Sequence, residues 1–479
     1  MSSLSQLFSD LLTPFLPRQA TRLAAPALPG VGAALTAAAL SRQAPARLAL
    51  AVTPGPADLE RVYGDLCSLG RDSGVTPALY PQQMEEDPET AGTRLRVIRM
   101  LRPGAPEQPH HATVIVTSLQ ALLQPAPDPE AVDQVSVTLR VGAHFAFDAL
   151  VSRLVAAGYE RAADVDAPGR LAVRGGLLDV WPPAAPAPWR AEFLDTELES
   201  LRTFDPATQC SVEKGESVWL PPCTGKALAT VQLIDVLPEK AAVLWLDHDR
   251  IRSGTLFPPE KVRHPLSWEQ LAARVAARDP WLQVFSGDPP PAQTPALALE
   301  IAALPGLAEL GAGEAHHPEL LSQARQRLLA DFERRAAAGE TVIVCADTAG
   351  TCELLARELG AGTQVQIRRL SLSGGFMLPG LTVAAQPDLY AVRKQALRRP
   401  PADAAARGGR VENAADLEPG DLVVHIDYGI GRFLGSTEVE VDGHRSEVFT
   451  IEYAEGAKLH VPVSHAHLLS RYVGVAGHK

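Results

Sequence analysis

Residues 28–40 (LPGVGAALTAAAL) have the pattern of a phosphate-binding loop that opens into a helix. A functional loop reads G-x-x-x-x-G-K-[ST], because its lysine must reach the outer phosphates and its hydroxyl must hold Mg²⁺. Here Ala33 and Ala34 follow Gly32, so both of these side chains are missing. Backbone amides at the start of such a helix can still hold an anion weakly. The sequence therefore predicts a lapsed loop at Gly30, Gly32, Ala33 and Ala34, with no cofactor and no catalytic residue.

The strand that would carry the acidic residue of a nucleotide-hydrolysing site reads LWLDHD, with Asp247 followed by His248. A helicase-like site needs a carboxylate here to orient the attacking water. The two departures together indicate that this segment is not an enzyme. The alternative is a nucleotide-dependent DNA-unwinding module that still uses ATP, and the missing lysine argues against it.

The other residues capable of chemistry form no metal or disulfide pattern. The five cysteines contain no C-x-x-C pair, and their odd number in a long chain is typical of reduced thiols. The thirteen histidines include no H-E-x-x-H spacing. We interpret His465 and His467 as exposed strand positions. The sequence therefore predicts no metal site.

Charge and composition restrict the class of protein. A formal net charge of −12 over 479 residues argues against a chain built to coat nucleic acid, since phosphate binding requires clustered Lys and Arg. The amino terminus lacks the positive start of a signal peptide. The longest charge-free apolar stretch, 24–40, is interrupted by Pro and Gly. We therefore expect a cytoplasmic protein with no membrane partner.

Hydrophobic patterning predicts the elements that must position these residues. Residues 45–125 alternate buried strands with helical segments, which indicates a parallel α/β sheet, and the pattern returns at 230–305 and 310–392. Residues 135–220 show period-two alternation and tight turns, which are typical of an antiparallel sheet with flanking helices. Residues 413–479 contain only short strands and turns, which predict a small SH3-like (Tudor-like) barrel.

Two stretches carry a specific resemblance to known proteins. VRGGLLDVWPP, followed by WRAEFLDTELESLRTFDPATQ, is similar to the second domain shared by the excision-repair protein UvrB and the bacterial transcription-repair coupling factors (Mfd). GDLVVHIDYGIGRFLG, followed by FTIEYAEGAKLHVPV, resembles the polymerase-interacting domain of the same family, which is related to the CarD regulators. This order in one chain is typical of the family's front half, so we expect the motor domains to be absent from this segment.

The resemblance implies an α/β multidomain chain with a UvrB-like module, in which an α+β domain is inserted into a degenerate NTPase-type α/β domain. The expected segments are the first part of the degenerate P-loop-like domain (1–130), the UvrA-binding UvrB-homology domain 2 (131–220), the second part of the first domain (221–305), an additional small α/β domain (306–392), a linker (393–412) and the all-β, CarD-like RNA-polymerase-interacting domain (413–479).

On the residues alone, Arg174 and Arg190 are solvated arginines at strand ends. The resemblance implies instead that they belong to the family's surface for the excision-repair protein UvrA. Guanidinium groups suit this role because their planar donor forks pair bidentately with carboxylates. The family commonly places an aromatic residue where this chain has Leu194. We therefore expect an anchoring contact that is weaker or that Phe193 supplies.

The terminal domain is expected to bind the β subunit of RNA polymerase. Residues 412–479 carry five Lys/Arg against eleven Asp/Glu, which suits a protein partner better than a phosphate backbone. The strand STEVEV places Thr437, Val439 and Val441 on one face, which we predict to bind the polymerase; the alternative interpretation is that these three residues fill the barrel core. The resemblance implies that Val439 contacts the polymerase, where the barrel extends a sheet of its partner edge to edge.

Together these features predict a non-catalytic adaptor that binds stalled RNA polymerase and recruits UvrA to start transcription-coupled nucleotide excision repair. The resemblance implies that full-length members are ATP-dependent translocases, and that double-stranded DNA is bound only through the motor domains. A stand-alone CarD-like transcription regulator is a further alternative. It would require a basic DNA-binding domain, which the sequence does not contain.

Overall fold

The chain divides into two compact units, Met1–Leu397 and Arg398–Lys479. The structure is a computed structural model, and the residues that it describes are 4–15, 21–83, 87–102, 111–225, 228–256, 268–287, 294–297, 299–305, 318–360, 362–390, 422–425, 429–441, 444–452, 458–462 and 469–471. Among the helices in these ranges, none is both long and apolar enough to cross a bilayer.

The amino-terminal part of the first unit alternates helices with strands. Its elements are α1 (Leu4–Leu12), β1 (Arg22–Ala25), α2 (Gly32–Gln43), β2 (Leu48–Thr53), α3 (Pro56–Ser73), β3 (Val75–Tyr80), α4 (Pro88–Leu101), β4 (Ala112–Ser118), α5 (Leu119–Leu123), β5 (Pro125–Pro127) and α6 (Pro129–Val135). Several helix starts follow from local chemistry. The Asp87 and Asp128 side chains accept hydrogen bonds from the first free backbone N–H groups of α4 and α6, which stabilises both ends.

The next segment forms a mostly antiparallel sheet. Its elements are β6 (Val137–Arg140), α7 (Phe147–Ala156), β7 (Glu160–Arg161), β8 (Arg170–Arg174), β9 (Leu177–Val180), β10 (Trp189–Leu194), β11 (Glu197–Phe204), β12 (Ser211–Gly215) and β13 (Ser217–Leu220). The sheet runs in the order β12-β11-β10-β9-β8-β7, and β6 pairs separately with β13. Leu150 and Leu154 of α7 share a core cluster with Leu178 and Leu201, so the helix covers one face of the sheet.

The chain then returns to the first sheet. The returning elements are β14 (Ala229–Gln232), a 3₁₀ turn (Leu233–Val236), β15 (Ala242–Trp245), α8 (His248–Leu256), α9 (Trp268–Ala277) and β16 (Leu282–Ser286). The resulting parallel sheet has the order β1-β16-β15-β2-β4-β3. On β2, Ala49 and Ala51 enter one core cluster, whereas Leu50 and Val52 enter another. Because both faces are buried, the strand reads as a continuous apolar run.

A second parallel sheet follows in the same unit. Its elements are α10 (Pro318–Ala337), β17 (Thr341–Ala346), α11 (Ala349–Leu359), β18 (Gln366–Arg369), β19 (Phe376–Leu378), β20 (Leu381–Ala385) and α12 (Gln386–Tyr390). The order is β18-β17-β20-β19, with only β19 antiparallel to its neighbour. Val342 and Val344 pack with Phe332 of α10 on one face. On the other face, Ile343 and Val383 join the core that contains α1 and α2, so the first domain covers this face.

The second unit is an antiparallel sheet of five strands. These are β21 (Leu422–His425), β22 (Gly429–Val441), β23 (His444–Glu452), β24 (Lys458–Pro462) and β25 (Leu469–Arg471), in the order β24-β23-β22-β21-β25. Phe433 and Phe449 are buried and pack edge to face, with ring centroids 5.6 Å apart. The pairings of the described strands do not close the sheet into a barrel, so the SH3-like (Tudor-like) closure stays a prediction.

Candidate partner-binding surface

The two predicted arginines lie on neighbouring strands of the antiparallel sheet. Arg174 ends β8, and the tight turn at Gly175, where φ is +62°, leads directly into β9. Arg190 on β10 lies directly opposite Asp179 on β9. Leu171 and Leu178 point into the core shared with α7. Because side chains alternate along a strand, Arg174, Asp179 and Arg190 lie on the face that α7 leaves open.

Asp179 brings the two arginines together. Its Oδ1 accepts a hydrogen bond from Nε of Arg190 at 2.7 Å and its Oδ2 accepts one from Nη2 at 2.9 Å, a bidentate pair. Nη1 of Arg174 lies 3.6 Å from the same Oδ2. The Asp179 side chain is only 5% exposed. The hydrogen bond to this carboxylate raises the pKa of Arg190, so the guanidinium is firmly held in its charged form.

The two guanidinium groups differ in how much they offer to a partner. Arg190 also stacks over the Phe204 ring at 4.7 Å and donates to the Gln209 carbonyl at 3.3 Å, which leaves its side chain 17% exposed. Arg174 is 47% exposed; it pairs with the exposed Asp164 and donates to the carbonyl of Ala163 at 2.8 Å. Arg174 therefore presents most of the accessible positive charge, whereas Arg190 is largely engaged within the chain.

The structure separates Phe193 from Leu194. A bulge in the pairing of β10 with β11 falls between Glu192 and Phe193. The Phe193 ring packs edge to face on Phe145 and Phe147, at 6.3 and 5.2 Å, on the core side of the sheet. Leu194 ends β10 and is 65% exposed. Leu194 is thus an accessible apolar group at the end of the strand that carries Arg190, and Phe193 packs on the core side of the hairpin.

Sequence reasoning missed three residues of this face. The strand register aligns Asp179, Arg190, Arg202 and Lys214 in one row across four strands. Arg202 forms an ion pair with Glu192, and Lys214 lies exposed on the edge strand β12. The hairpin turn at residues 195–196 alone would place Leu201 opposite Arg190, and the bulge between Glu192 and Phe193 shifts the pairing to Arg202, so the sequence carried no signal for this neighbour. Asp179 had no signal either, since its burial depends on the whole sheet.

The lapsed loop lies against another part of the same unit. Helix α2 begins at Gly32, and Ala33 and Ala34 are fully buried. Gly30 has a left-handed backbone, with φ of +51°. The backbone N–H of Val31 donates to the carbonyl oxygen of Gly374 at 2.9 Å. The Gly374 carbonyl oxygen therefore accepts the backbone N–H of the residue that precedes α2.

The segment LWLDHD was predicted to be a strand, but β15 ends at Trp245 and α8 begins at His248, so Asp247 lies in the turn between them; His248 belongs to an aromatic cluster. The His248 ring lies 5.0 Å from the Trp268 ring and 5.3 Å from the Phe285 ring. Burial lowers the pKa of His248, which favours the neutral imidazole. Asp247 adopts a left-handed backbone and forms an ion pair with Arg250 at 3.3 Å. Within the described residues, no group of three or more His, Cys, Asp or Glu side chains could hold a metal ion.

In the second unit, β22 has different neighbours along its length. Gly429–Arg432 pair with β21, and Arg432–Val441 pair with β23. Among the described strands, the STEVEV portion therefore has a neighbour on one side only. Thr437 is exposed, and its Oγ1 lies 3.0 Å from Oγ1 of Thr450. The backbones of Val439 and Val441 pair with Ser446 and His444, but their side chains fall outside the described part of the structure.

The Asp179 pair predicts a stability difference between two carboxylates that both contact Arg174. We expect Asp179→Asn to lower the free energy of unfolding by about 3 kcal/mol, because removing one partner of a buried ion pair leaves uncompensated charge. Asp164→Asn, at an exposed pair, should cost less than about 1 kcal/mol. Urea unfolding of the full chain measures both values. Equal losses would contradict the assignment of Asp179 as the central carboxylate.

Comparisons with known proteins agree with this organisation. Residues 137–226 match the UvrB interaction domain, and residues 417–473 match the CarD-like/TRCF RID domain. The chain is 25% identical to the transcription-repair-coupling factor of Bacillus subtilis, over 87% of this chain and 42% of that protein. It is 28% identical to the transcription-repair-coupling factor of Mycobacterium bovis, over 97% of this chain and 44% of that protein. It is also 28% identical to that of Escherichia coli, over 71% of this chain and 36% of that protein.

The chain thus spans less than half the length of these relatives. The two matched domains occur in the order that the sequence motifs predicted. The chain therefore carries a UvrB interaction domain followed by a CarD-like/TRCF RID domain, and the predicted resemblance to the transcription-repair-coupling factors is confirmed.

Proposed function

We propose that this segment is the adaptor portion of a transcription-repair coupling factor. It recruits UvrA through the open face of the 137–226 domain and binds the RNA polymerase β subunit through β22. The observation that carries the proposal is the convergence of Arg174 and Arg190 on the buried Asp179, in a sheet that also exposes Leu194 at the end of β10. Such a face combines fixed positive charge with an apolar group, and interfaces are enriched in arginine for this reason.

The two arginines have different proposed roles because they differ in exposure: Arg174 contacts UvrA, and Arg190 orients the surface. The Arg174 side chain is 47% exposed and can exchange the exposed Asp164 for a carboxylate of UvrA at little cost. Arg190 keeps its bidentate pair with Asp179 and thereby holds that carboxylate, and the surface around it, in position. An Arg190→Glu substitution would place a second carboxylate beside Asp179 and disturb the fold. Arg174 is therefore the sharper probe of binding.

The polymerase contact rests on the edge of β22. A strand with a single neighbour offers unpaired backbone N–H and C=O groups, to which a partner sheet can add a strand. The acidic residues Glu438 and Glu440 alternate with the apolar ones. This composition favours a protein edge over a nucleic-acid backbone. Translocation on double-stranded DNA, which the family resemblance implies for full-length members, is not assigned to this segment.

We expect Arg174→Ala to weaken UvrA binding by about 2 kcal/mol, roughly thirtyfold in Kd, the typical cost of truncating an interface arginine that acts as a hot spot. The matched control is Arg170→Ala, on the same strand, where the side chain is occupied by Asp166 and Glu160. Isothermal titration of the chain with UvrA measures both. Unchanged affinity in Arg174→Ala would place the UvrA surface elsewhere.

Val439→Arg should abolish binding to the polymerase β subunit and leave UvrA binding intact. An arginine at the centre of a strand-to-strand contact would bury an unpaired charge, which costs several kcal/mol. Lys458→Glu, on the opposite edge strand β24, is the control and should bind normally. Pull-down on the β subunit and circular dichroism give the two readouts. An unfolded variant would favour the core interpretation of Val439, and a folded variant that still binds would exclude both.

We also propose that residues 1–479 bind no nucleotide. The loop lacks the lysine and hydroxyl side chains, and the Gly374 carbonyl accepts the N–H of Val31. Calorimetry with Mg-ATP should give no saturable heat up to millimolar nucleotide. Micromolar binding, about 8 kcal/mol, would contradict the proposal and favour the nucleotide-dependent alternative.

A further inference from the structure

The turn at Ser373–Gly375 lies on the lapsed loop and is held from both sides. The Gly374 carbonyl oxygen accepts the N–H of Val31 at 2.9 Å. Asp65 of α3 accepts the backbone N–H of Ser373 at 2.7 Å and its hydroxyl at 2.6 Å. On the far side, Asp388 accepts the N–H of Gly375 at 2.7 Å. Each hydrogen bond toward the first domain joins residues more than 300 positions apart in sequence.

The backbones approach too closely for a side chain at the loop. A Cβ atom at Gly30 would lie 2.6 Å from the Gly375 carbonyl oxygen and still closer to the Gly374 carbonyl group. The positive φ of Gly30 independently favours glycine there. Nη1 of Arg61 donates to the Gly30 carbonyl at 3.0 Å and holds the loop from its other side. The loop is therefore shaped around the turn.

The Gly374 carbonyl oxygen interacts with the start of α2 as a bound anion would interact with the amino terminus of a helix. The first N–H groups of a helix lack intrahelical partners, and the helix dipole places partial positive charge there. The carbonyl oxygen of Gly374 carries partial negative charge and supplies one of the missing acceptors. Leu372 and Phe376, which flank the turn, are fully buried in the core shared with α1 and α2. The hydrogen bond of Gly374 and the burial of its apolar neighbours thus hold the turn at the same position on the first domain.

We propose that the loop at residues 30–34 is the intrachain docking socket of the second parallel sheet, and that the Ser373–Gly375 turn takes the place of a phosphate in it. The socket fixes β17 and β20 on the first domain. The loop has exchanged nucleotide binding for the binding of a peptide turn from its own chain. This role is independent of UvrA and polymerase recognition.

The test compares two glycines with the same backbone conformation. Gly30→Ala and Gly74→Ala both force alanine into the left-handed region, at φ of +51° and +61°. Only Gly30 faces the turn, since no atom lies within 4 Å of a Cβ at Gly74. Hydrogen exchange of the full chain, read by mass spectrometry, reports the opening of each sheet separately.

In Gly30→Ala, we expect the amides of β17 and β20 to exchange at least tenfold faster, while β2 and β4 keep their protection. Gly74→Ala should leave β17 and β20 unchanged. Equal exchange of β17 and β20 in the two variants would overturn the proposal. Equal acceleration of both sheets in Gly30→Ala would also overturn it, because strain in the loop rather than loss of the socket would then be responsible.

If Gly30→Ala does not fold, Asp65→Asn replaces it, with Glu60→Gln on the same helix as the control. Asp65 contacts Ser373, whereas Glu60 is exposed. We expect at least threefold faster exchange of β17 and β20 in Asp65→Asn alone. Unchanged exchange in that variant would overturn the proposal.

Discussion

The close approach of the Gly30 loop and the Gly374 turn determines how the two parallel sheets of the first unit pack. Buried backbone N–H groups must find acceptors, and those of Val31, Ser373 and Gly375 find them in this contact or beside it. Without these acceptors, each N–H would carry a desolvation cost of about 1–3 kcal/mol. Ile343 and Val383 can therefore share one core with α1 and α2, although their strands belong to another sheet.

Carboxylate side chains supply the acceptors for such hydrogen-bond donors at three places in this unit. Asp65, Asp179 and Asp388 each accept two or more hydrogen bonds from residues on other elements. A buried carboxylate is tolerated only where its lone pairs are satisfied. Burial raises the pKa of Asp388 even though two backbone N–H groups oppose that shift. At Asp179 the satisfied carboxylate additionally anchors positive charge at the surface, and this links the fold to the proposed recognition of UvrA.

The sequence contained the local features of this structure but not its long-range contacts. The apolar run of β2 indicated a strand buried on both faces, and the turns near Gly175 and Asp195 indicated hairpins. These features depend on neighbouring residues alone. The bulge at Glu192 and the burial of Asp179 depend on the pairing of four strands, so no short pattern reports them.

In the candidate site, too, the sequence predicted individual residues but not their long-range contacts. Arg174 and Arg190 were found through a resemblance, but their unequal exposure follows from Phe204 and Gln209, which lie beyond the next hairpin. The absence of a lysine after Gly32 was visible in the sequence. The residue that takes the anion's place was not, because Gly374 is separated from the loop by more than 300 residues. Contacts of this length are fixed by packing and have no periodic signature.

The α/β domain that contains the lapsed loop is well suited to serve as a scaffold for an adaptor. Its parallel sheet is covered on both faces, so its strands are held in a packed core. The antiparallel domain is inserted between β4 and β15 and therefore leaves and re-enters the rigid sheet at two fixed points. The proposed UvrA-binding face belongs to this inserted sheet. A partner that binds Arg174 and Leu194 is therefore connected to the whole first unit rather than to one loop. If this domain binds no nucleotide, as proposed above, it has no need to open and close, and rigidity of this kind lowers the entropic cost of binding.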